Sequence, residues 1–424
     1  MINAPEYAAR RAKLLSKIED GSIVLLFSGE AKKSSADDTY PFEVNRNFYY
    51  LTGIEQESSA LMLVKSYGET KEYLFISAYD PNKEKWYGRK LTVEEAREKS
   101  GINNVLLKNA LTARIDGALN DQIRTYGPIS RVYLDLEEEQ KLGRGIAAAD
   151  YRNSLEATYD GVHVFDCYPL IIRQRMVKSK AEVDELRKAI KTTSLGIQAV
   201  MAMARPGLHE YELANRFFQV INDDNANQGL SFNTIMASGK NATILHYPNP
   251  QSVVGEGELI LMDLGARSNY YCGDISRVVP ANGKFNEEQK TIYQIVLGCN
   301  KAVANFARPG VTIAELQSFT KEYLASECLS HGFIKEKSEI DKYYFHGVSH
   351  HIGLDTHDPS DRSLPLEPGN VISDEPGLYM ADRGIGVRIE DDLLIIEKGS
   401  EVLSSDIIKE IADIESFYKS GHLK

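Results

Sequence analysis

The sequence predicts an α/β N-terminal domain, residues 1–172, followed by a C-terminal domain, residues 173–424, with two pseudo-symmetric halves. Three observations carry that expectation. Short apolar strands alternate with helical stretches in the first part of the chain. A capped amphipathic helix opens just after Arg173–Ser179, and one ten-residue pattern occurs twice, 103 residues apart. At roughly 100–200 residues per domain, 424 residues suit two or three domains.

Ser22–Ser28 (SIVLLFS) reads as a buried strand. Ala60–Val64 and Tyr73–Ser77 flank a turn at Tyr67–Gly68, and Arg131–Leu136 alternates apolar with polar residues. No glycine-rich nucleotide fingerprint is present here. Past the boundary, Ser179 and Glu182 form a capping-box pattern, each side chain matched to the other's backbone donor. Val183, Leu186, Ile190, Ile197 and Val200 then recur at helical spacing. Pro206 ends that helix, because proline cannot continue the hydrogen-bond ladder. ARPGLHEYEL at Ala204–Leu213 returns as ARPGVTIAEL at Ala307–Leu316, the second copy following a helix from about Asn286 to Arg308. Chance recurrence competes with a pair of related halves. A cleft between such halves is a natural place for a site.

Composition narrows the function. With 42% hydrophobic and 26% charged residues the chain can bury a substantial core. A net charge of -12 argues against a nucleic-acid partner, whose phosphates need an excess of Lys and Arg. It suits cations or substrates with a free ammonium group, and equally a solvated acidic surface. The four cysteines form no CxxC pair, so neither a disulfide framework nor a structural zinc site is expected. The N-terminus is a polar amphipathic helix without the apolar core of a signal peptide. No run approaches the ~18 apolar residues of a membrane span, and a cytoplasmic protein with no membrane partner is expected.

Residues able to carry chemistry gather late in the chain. Four of the nine histidines, His346, His350, His351 and His357, lie within HGVSHHIGLDTHD, too dense a cluster for ordinary packing. The apolar run Leu259–Met262 leads into Asp263, and Asp274 follows eleven residues later. A hairpin turning around Arg267–Asn269 would set the two aspartates side by side on neighbouring strands, where they repel unless a proton or cation lies between. Two unrelated strand-end aspartates are the alternative. Glu375 precedes Pro376-Gly377, and Glu390 is embedded in GVRIEDDLLII, where an unpaired carboxylate is costly. Arg388 could pair with one of these acids without any metal. Together Asp263, Asp274, His350, Glu375 and Glu390 offer four carboxylates and one imidazole, which match two divalent cations. Such oxygen-rich ligation favours Mn²⁺, with Co²⁺ or Zn²⁺ as other fits.

These motifs resemble the aminopeptidase P and prolidase branch of the pita-bread metallopeptidases. ILHYPNP, MDLGARSNYYCGDISR, HGVSHHIGLDTHD, DEPGLY and GVRIEDD occur in that order, and SADDTYPFEVNRNFYYLTG and EKWYGRKL are similar to the N-terminal part of the aminopeptidase P type. The resemblance implies an α+β pita-bread catalytic domain behind a creatinase-like α/β domain. It implies two metal ions held by Asp263, Asp274, His350, Glu375 and Glu390. It also implies His246 and His357 flanking the scissile bond, His346 lining a proline pocket, and Arg388 with Asp37 completing a polar network. A homodimer or homotetramer is implied as well, in which Trp86 reaches a neighbour's site; a structural aromatic within its own domain is the other reading. His351 matches no ligand position, and His163, His209, His331 and His422 receive no role.

Two positions depart from the family pattern. Asp374 adds an acid beside Glu375, altering metal preference or seeking a cationic partner, and Phe232 stands where some relatives carry tyrosine. The expected activity is release of an N-terminal residue from peptides with proline second, by attack of a metal-bridging hydroxide with Glu375 as general base. The alternative is an Xaa-Pro dipeptidase. A metal-free amidinohydrolase and a non-catalytic binding module are set aside by the intact ligand set.

Overall fold

A computed structural model describes residues 2–120, 126–137, 146–223 and 229–420; His422 lies outside them. The chain divides into two compact units, Met1–Gln174 and Arg175–Lys424.

The first unit is built on a mixed six-stranded sheet. Its strands are β1 (Ser22–Phe27), β2 (Ala60–Ser66), β3 (Glu69–Ile76), β4 (Asn104–Leu107), β5 (Arg131–Leu134) and β6 (His163–Asp166), in the order β4-β3-β2-β1-β5-β6. β1 runs antiparallel to β2 but parallel to β5, so consecutive apolar residues are covered on both faces. Ile23, Leu25, Met62, Val64, Phe75 and Val132 meet helical Ile115 and Leu155 in one core. The expected turn forms at Tyr67–Gly68, both at positive φ.

The second unit repeats one plan. Each half begins with a long helix, Lys180–Met203 or Glu287–Phe306, which ends at ARPG and leads to a second helix, Glu210–Asp223 or Ile313–Ser330. Capping boxes open three of the four: Ser179 with Glu182, Asn286 with Gln289, and Thr312 with Glu315. Each half then supplies a three-stranded antiparallel sheet. The first contains β7 (Ile235–Ser238), β8 (Leu259–Leu264) and β11 (Ile275–Pro280), with the small hairpin β9 (Arg267–Ser268) and β10 (Tyr271–Cys272) inserted between the last two. The second contains β12 (Val371–Asp374), β15 (Asp391–Ile396) and β16 (Gly399–Val402), with the hairpin β13 (Gly377–Met380) and β14 (Ile385–Arg388) inserted after β12. The α+β architecture with two related halves is the one expected.

The aspartate hairpin differs from the expectation in detail. Its turn falls at Asn269–Tyr270, with φ of 47° and 68°, rather than at Arg267–Asn269. Asp263 pairs across with Ser276, so Asp274 is its diagonal neighbour and not its direct partner. Both side chains nonetheless share one face, because strand side chains alternate with period two. The bases of the two strands touch: a Cβ on Gly265 would lie 2.1 Å from the Gly273 carbonyl oxygen, so only glycine fits there.

A buried ionic network braces the second sheet. Arg277 is fully enclosed and donates to the carbonyls of Glu390 (2.6 Å), Ile407 (3.1 Å) and Ile408 (3.2 Å) and to the Asp391 carboxylate (2.8 Å). Lys409 pairs with Asp391 and donates to Asn300 (2.7 Å). Burial alone would raise the Asp391 pKa, but Arg277 and Lys409 hold it far below the usual range.

Candidate active site

The strands deliver the acids and two loops deliver the histidines. Asp263 is the penultimate residue of β8, Asp274 precedes β11, Glu375 follows β12, and Glu390 lies between β14 and β15. Asp274, His350 and Glu390 each offer a ligand atom within 4.8 Å of the others, all three buried. His350 Nε2 is 3.4 Å from Asp274 Oδ2 and 3.4 Å from Glu375 Oε1. Its Nδ1–H donates to the His351 carbonyl at 3.1 Å, which leaves Nε2 as the free lone pair aimed at the acids.

The electrostatics of this cluster point to a cation. Burial drives the Asp274 pKa well above its ordinary value, reinforced by Asp263 and opposed by Arg388. Burial does the same to Glu390, with Asp274 and Glu375 adding to it. Glu375 is pushed up to about 7 by burial, with His350 opposing and Asp274 adding. Asp263 Oδ1 is buried with no hydrogen-bond partner. Several carboxyls that cannot ionise together, one orphaned oxygen and a correctly oriented imidazole form a donor set that fits divalent cations.

Arg388 does pair with an acid, as the metal-free alternative required, and the contact is to Asp263 Oδ2 at 2.7 Å. Its other donors reach Ser276 Oγ (2.9 Å) and the Tyr379 hydroxyl (3.0 Å). Because a guanidinium only donates, the Ser276 proton is left for Glu390 Oε2, 2.8 Å away. The Tyr379 proton likewise goes to His346 Nε2 at 2.9 Å, and His346 Nδ1–H donates to the Gly347 carbonyl. Ser373 accepts from the His350 amide (2.9 Å) and donates to Glu375 Oε1 (3.2 Å). Ser276, Ser373 and Tyr379 were missed in the sequence, although Ser276 sat in the quoted motif MDLGARSNYYCGDISR and Tyr379 in DEPGLY.

His357 stays accessible on its loop, its ring 4.2 Å from that of His350 at 70°. Burial lowers its pKa to about 4, with the His350 and His246 charges adding to the effect. His346 is lowered to about 4 by burial and then by Arg388. Both imidazoles are therefore neutral near pH 7. His246 is exposed in the loop after β7, close enough for its charge to depress both. His351 is buried and pushed down to about 3, chiefly by burial. The His357 loop rests on a buried ion cluster in which Asp358 receives Arg175 (2.6 Å) and Lys178 (3.1 Å) while its amide donates to the His351 carbonyl.

Asp374 is enclosed beside Glu375, without the cationic hydrogen-bond partner that the sequence allowed for. It is fully buried, neither carboxyl oxygen has a hydrogen-bond partner, and burial with Asp391 nearby drives its pKa well above the ordinary value. Asp37 and Trp86 belong to the first unit and are exposed there, Trp86 at 82%.

Comparison with known proteins agrees with this geometry. The family model described as metallopeptidase family M24 matches residues 184–397, and that of the aminopeptidase P N-terminal domain matches residues 7–126. The Xaa-Pro aminopeptidase of Escherichia coli K12 is 33% identical over 98% of this chain and 98% of its own. A solved structure from Bacillus anthracis, assigned to aminopeptidase P, is 39% identical with a TM-score of 0.95 over 99% of both chains. Aminopeptidase P from Escherichia coli with the inhibitor Pro-Leu is 31% identical with a TM-score of 0.90 over 100% of both. No described helix is long and apolar enough to cross a membrane. With a cation-binding donor set in its second unit and relatives that match it end to end, the chain belongs to metallopeptidase family M24, as an enzyme of the pita-bread fold.

Proposed function

We propose that the protein is an Xaa-Pro aminopeptidase that removes the N-terminal residue from peptides with proline in the second position. The observation that supports this most is the convergence of Asp274, His350 and Glu390 within 4.8 Å, with Glu375 and the partnerless oxygen of Asp263 alongside. In this reading the five residues hold two divalent cations, Mn²⁺ by preference. When bound, those cations supply Lewis acidity toward the peptide carbonyl and a water activated near neutral pH.

This chain's own residues do the rest. Glu375 takes the proton of the attacking water and returns it to the proline nitrogen. Neutral His357 donates a hydrogen bond to the carbonyl oxygen as it gains charge. His246 and His357 flank the scissile bond, His346 lines the proline pocket, and the Arg388–Tyr379 pair fixes the His346 tautomer. An Xaa-Pro bond has no N–H, so a site working through the carbonyl loses nothing by its absence. Asp37 and Trp86 are assigned to substrate binding, the enzyme to the cytoplasm, and its working form to a homodimer or homotetramer.

The test is hydrolysis of Xaa-Pro and Xaa-Pro-Xaa peptides by chelator-treated protein with and without Mn²⁺. Cleavage of the longer series, restored by Mn²⁺ and absent in Asp274→Ala and Glu375→Ala, is expected. Chelator-insensitive turnover, or cleavage of the dipeptides alone, contradicts the proposal.

A further inference from the structure

The two helices that follow the ARPG repeats each send one polar side chain toward a histidine-bearing loop. Glu210, the first residue of its helix, is fully buried. Its Oε1 accepts from the Ser238 amide (2.7 Å), the Ser238 hydroxyl (3.0 Å) and the Asn241 side chain (3.0 Å), and Oε2 accepts from the Ser252 amide (3.2 Å). Those partners bracket the segment that carries His246.

Gln317 works in the same way in the other half. Its Nε2 donates to the His346 carbonyl (3.0 Å), and its Oε1 accepts from the Val348 amide (2.7 Å) and the Tyr344 hydroxyl (3.0 Å). The Val348 carbonyl in turn accepts from the Glu375 amide (3.0 Å).

When the ARPG copies are superposed in sequence, Glu210 corresponds to Ile313, and Gln317 lies four residues after Ile313. One helical turn separates the two anchors, so they project from the same face of equivalent helices. Neither loop is a helix or strand where its histidine sits, and a loop's buried amides and carbonyls must find partners elsewhere. The direction of each bond is fixed, since a carboxylate only accepts and the Gln317 amide meets a carbonyl on one side and an N–H and an O–H on the other.

We propose that Glu210 and Gln317 are a matched pair of positioning residues that set the spacing between His246 and His346, and so the fit of the substrate's proline. This rests on the aminopeptidase reading above. Neither residue touches substrate, so both act on binding through the histidines they place.

The experiment measures KM for an Xaa-Pro-Xaa peptide and calorimetric binding of Pro-Leu, an inhibitor of the Escherichia coli relative, to the Mn²⁺-loaded protein. Gln317→Met keeps the side-chain length and removes every polar contact; Glu210→Gln removes the charge. Each is expected to raise KM and weaken Pro-Leu binding roughly tenfold, the scale of one or two lost hydrogen bonds, with bound metal unchanged. Glu315→Ala is the control, because it removes the capping box of the Gln317 helix without touching the loop. It is expected to lower the melting temperature and leave KM alone. If Gln317→Met does not fold, Gln317→Glu isolates the lost donor to His346 and carries the same expectation.

Parental KM and Pro-Leu affinity in the anchor variants, or an equal shift in Glu315→Ala, overturns the pairing. If the parent itself neither binds Pro-Leu nor cleaves the peptide, the aminopeptidase reading has failed and the inference falls with it.

Discussion

Cation loading of this centre should expel protons in a pH-dependent way, and Glu375 sets the scale. In the metal-free protein burial lifts its carboxyl from 4.5 to about 7. That group is then about nine-tenths protonated at pH 6 and about one-tenth at pH 8. A cation requires the carboxylate, so binding releases about 0.9 proton from Glu375 at pH 6 and only about 0.1 at pH 8. The same competition weakens cation binding about tenfold at pH 6 relative to pH 8. Stability follows the same linkage. The unfolded carboxyl ionises near 4.5 and the folded one near 7, so the metal-free fold has the group's full contribution below that window. It loses about 3 kcal/mol as pH rises through it. Calorimetric Mn²⁺ titrations of chelator-treated protein, run at pH 6, 7 and 8 in buffers of different ionisation enthalpy, count the protons. The parent should release about 0.8 proton fewer at pH 8 than at pH 6, beyond whatever change Glu375→Gln shows. Identical pH dependence in parent and variant would refute the reasoning.

Two further outcomes follow from the geometry. His357→Ala should lower kcat by about 10²–10³ while bound metal, measured by elemental analysis, stays at the parental level. Arg175→Met leaves Asp355 and Asp358 short of a cation they now contact at 2.9 and 2.6 Å. Removing one partner of a buried pair typically costs about 3–5 kcal/mol, so the melting temperature by circular dichroism should fall on the order of 10 °C.

Much of this architecture was legible in the residues, because its signals are local. Ser179 and Glu182, or Asn286 and the helix it caps, are separated by only a few positions and announce helix starts wherever they occur. The apolar run into Asp263 and the dense histidines of HGVSHHIGLDTHD stand out for the opposite reason: such polar groups are expensive inside apolar strands or tight loops without a chemical partner. What stayed hidden depends on distant pairing. The Asn269–Tyr270 turn uses left-handed backbone at residues other than glycine, a choice imposed by the strands on either side. Asp374 looked like an ordinary acid in sequence; its burial, with Asp391 nearby, favours the protonated form. Ser276 and Ser373 are ordinary strand residues in sequence; only the register that sets Ser276 opposite Asp263, and the return of the His350 loop onto Ser373, gives their hydroxyl protons a fixed destination. Glu210 and Gln317 gain meaning only from loops that close back over their helices.

Arg277 ties the carbonyls of Ile407 and Ile408 to that of Glu390, and Lys409 ties the same stretch to Asp391 and Asn300. During synthesis, therefore, the acids contributed by β8, β12 and β14 emerge before the segment that locks the last of them in place. A nascent chain stopped short of residue 407 would leave the Arg277 guanidinium without two of its carbonyl partners and Asp391 without Lys409, so competence to capture cations should arrive late, once that final clasp has formed.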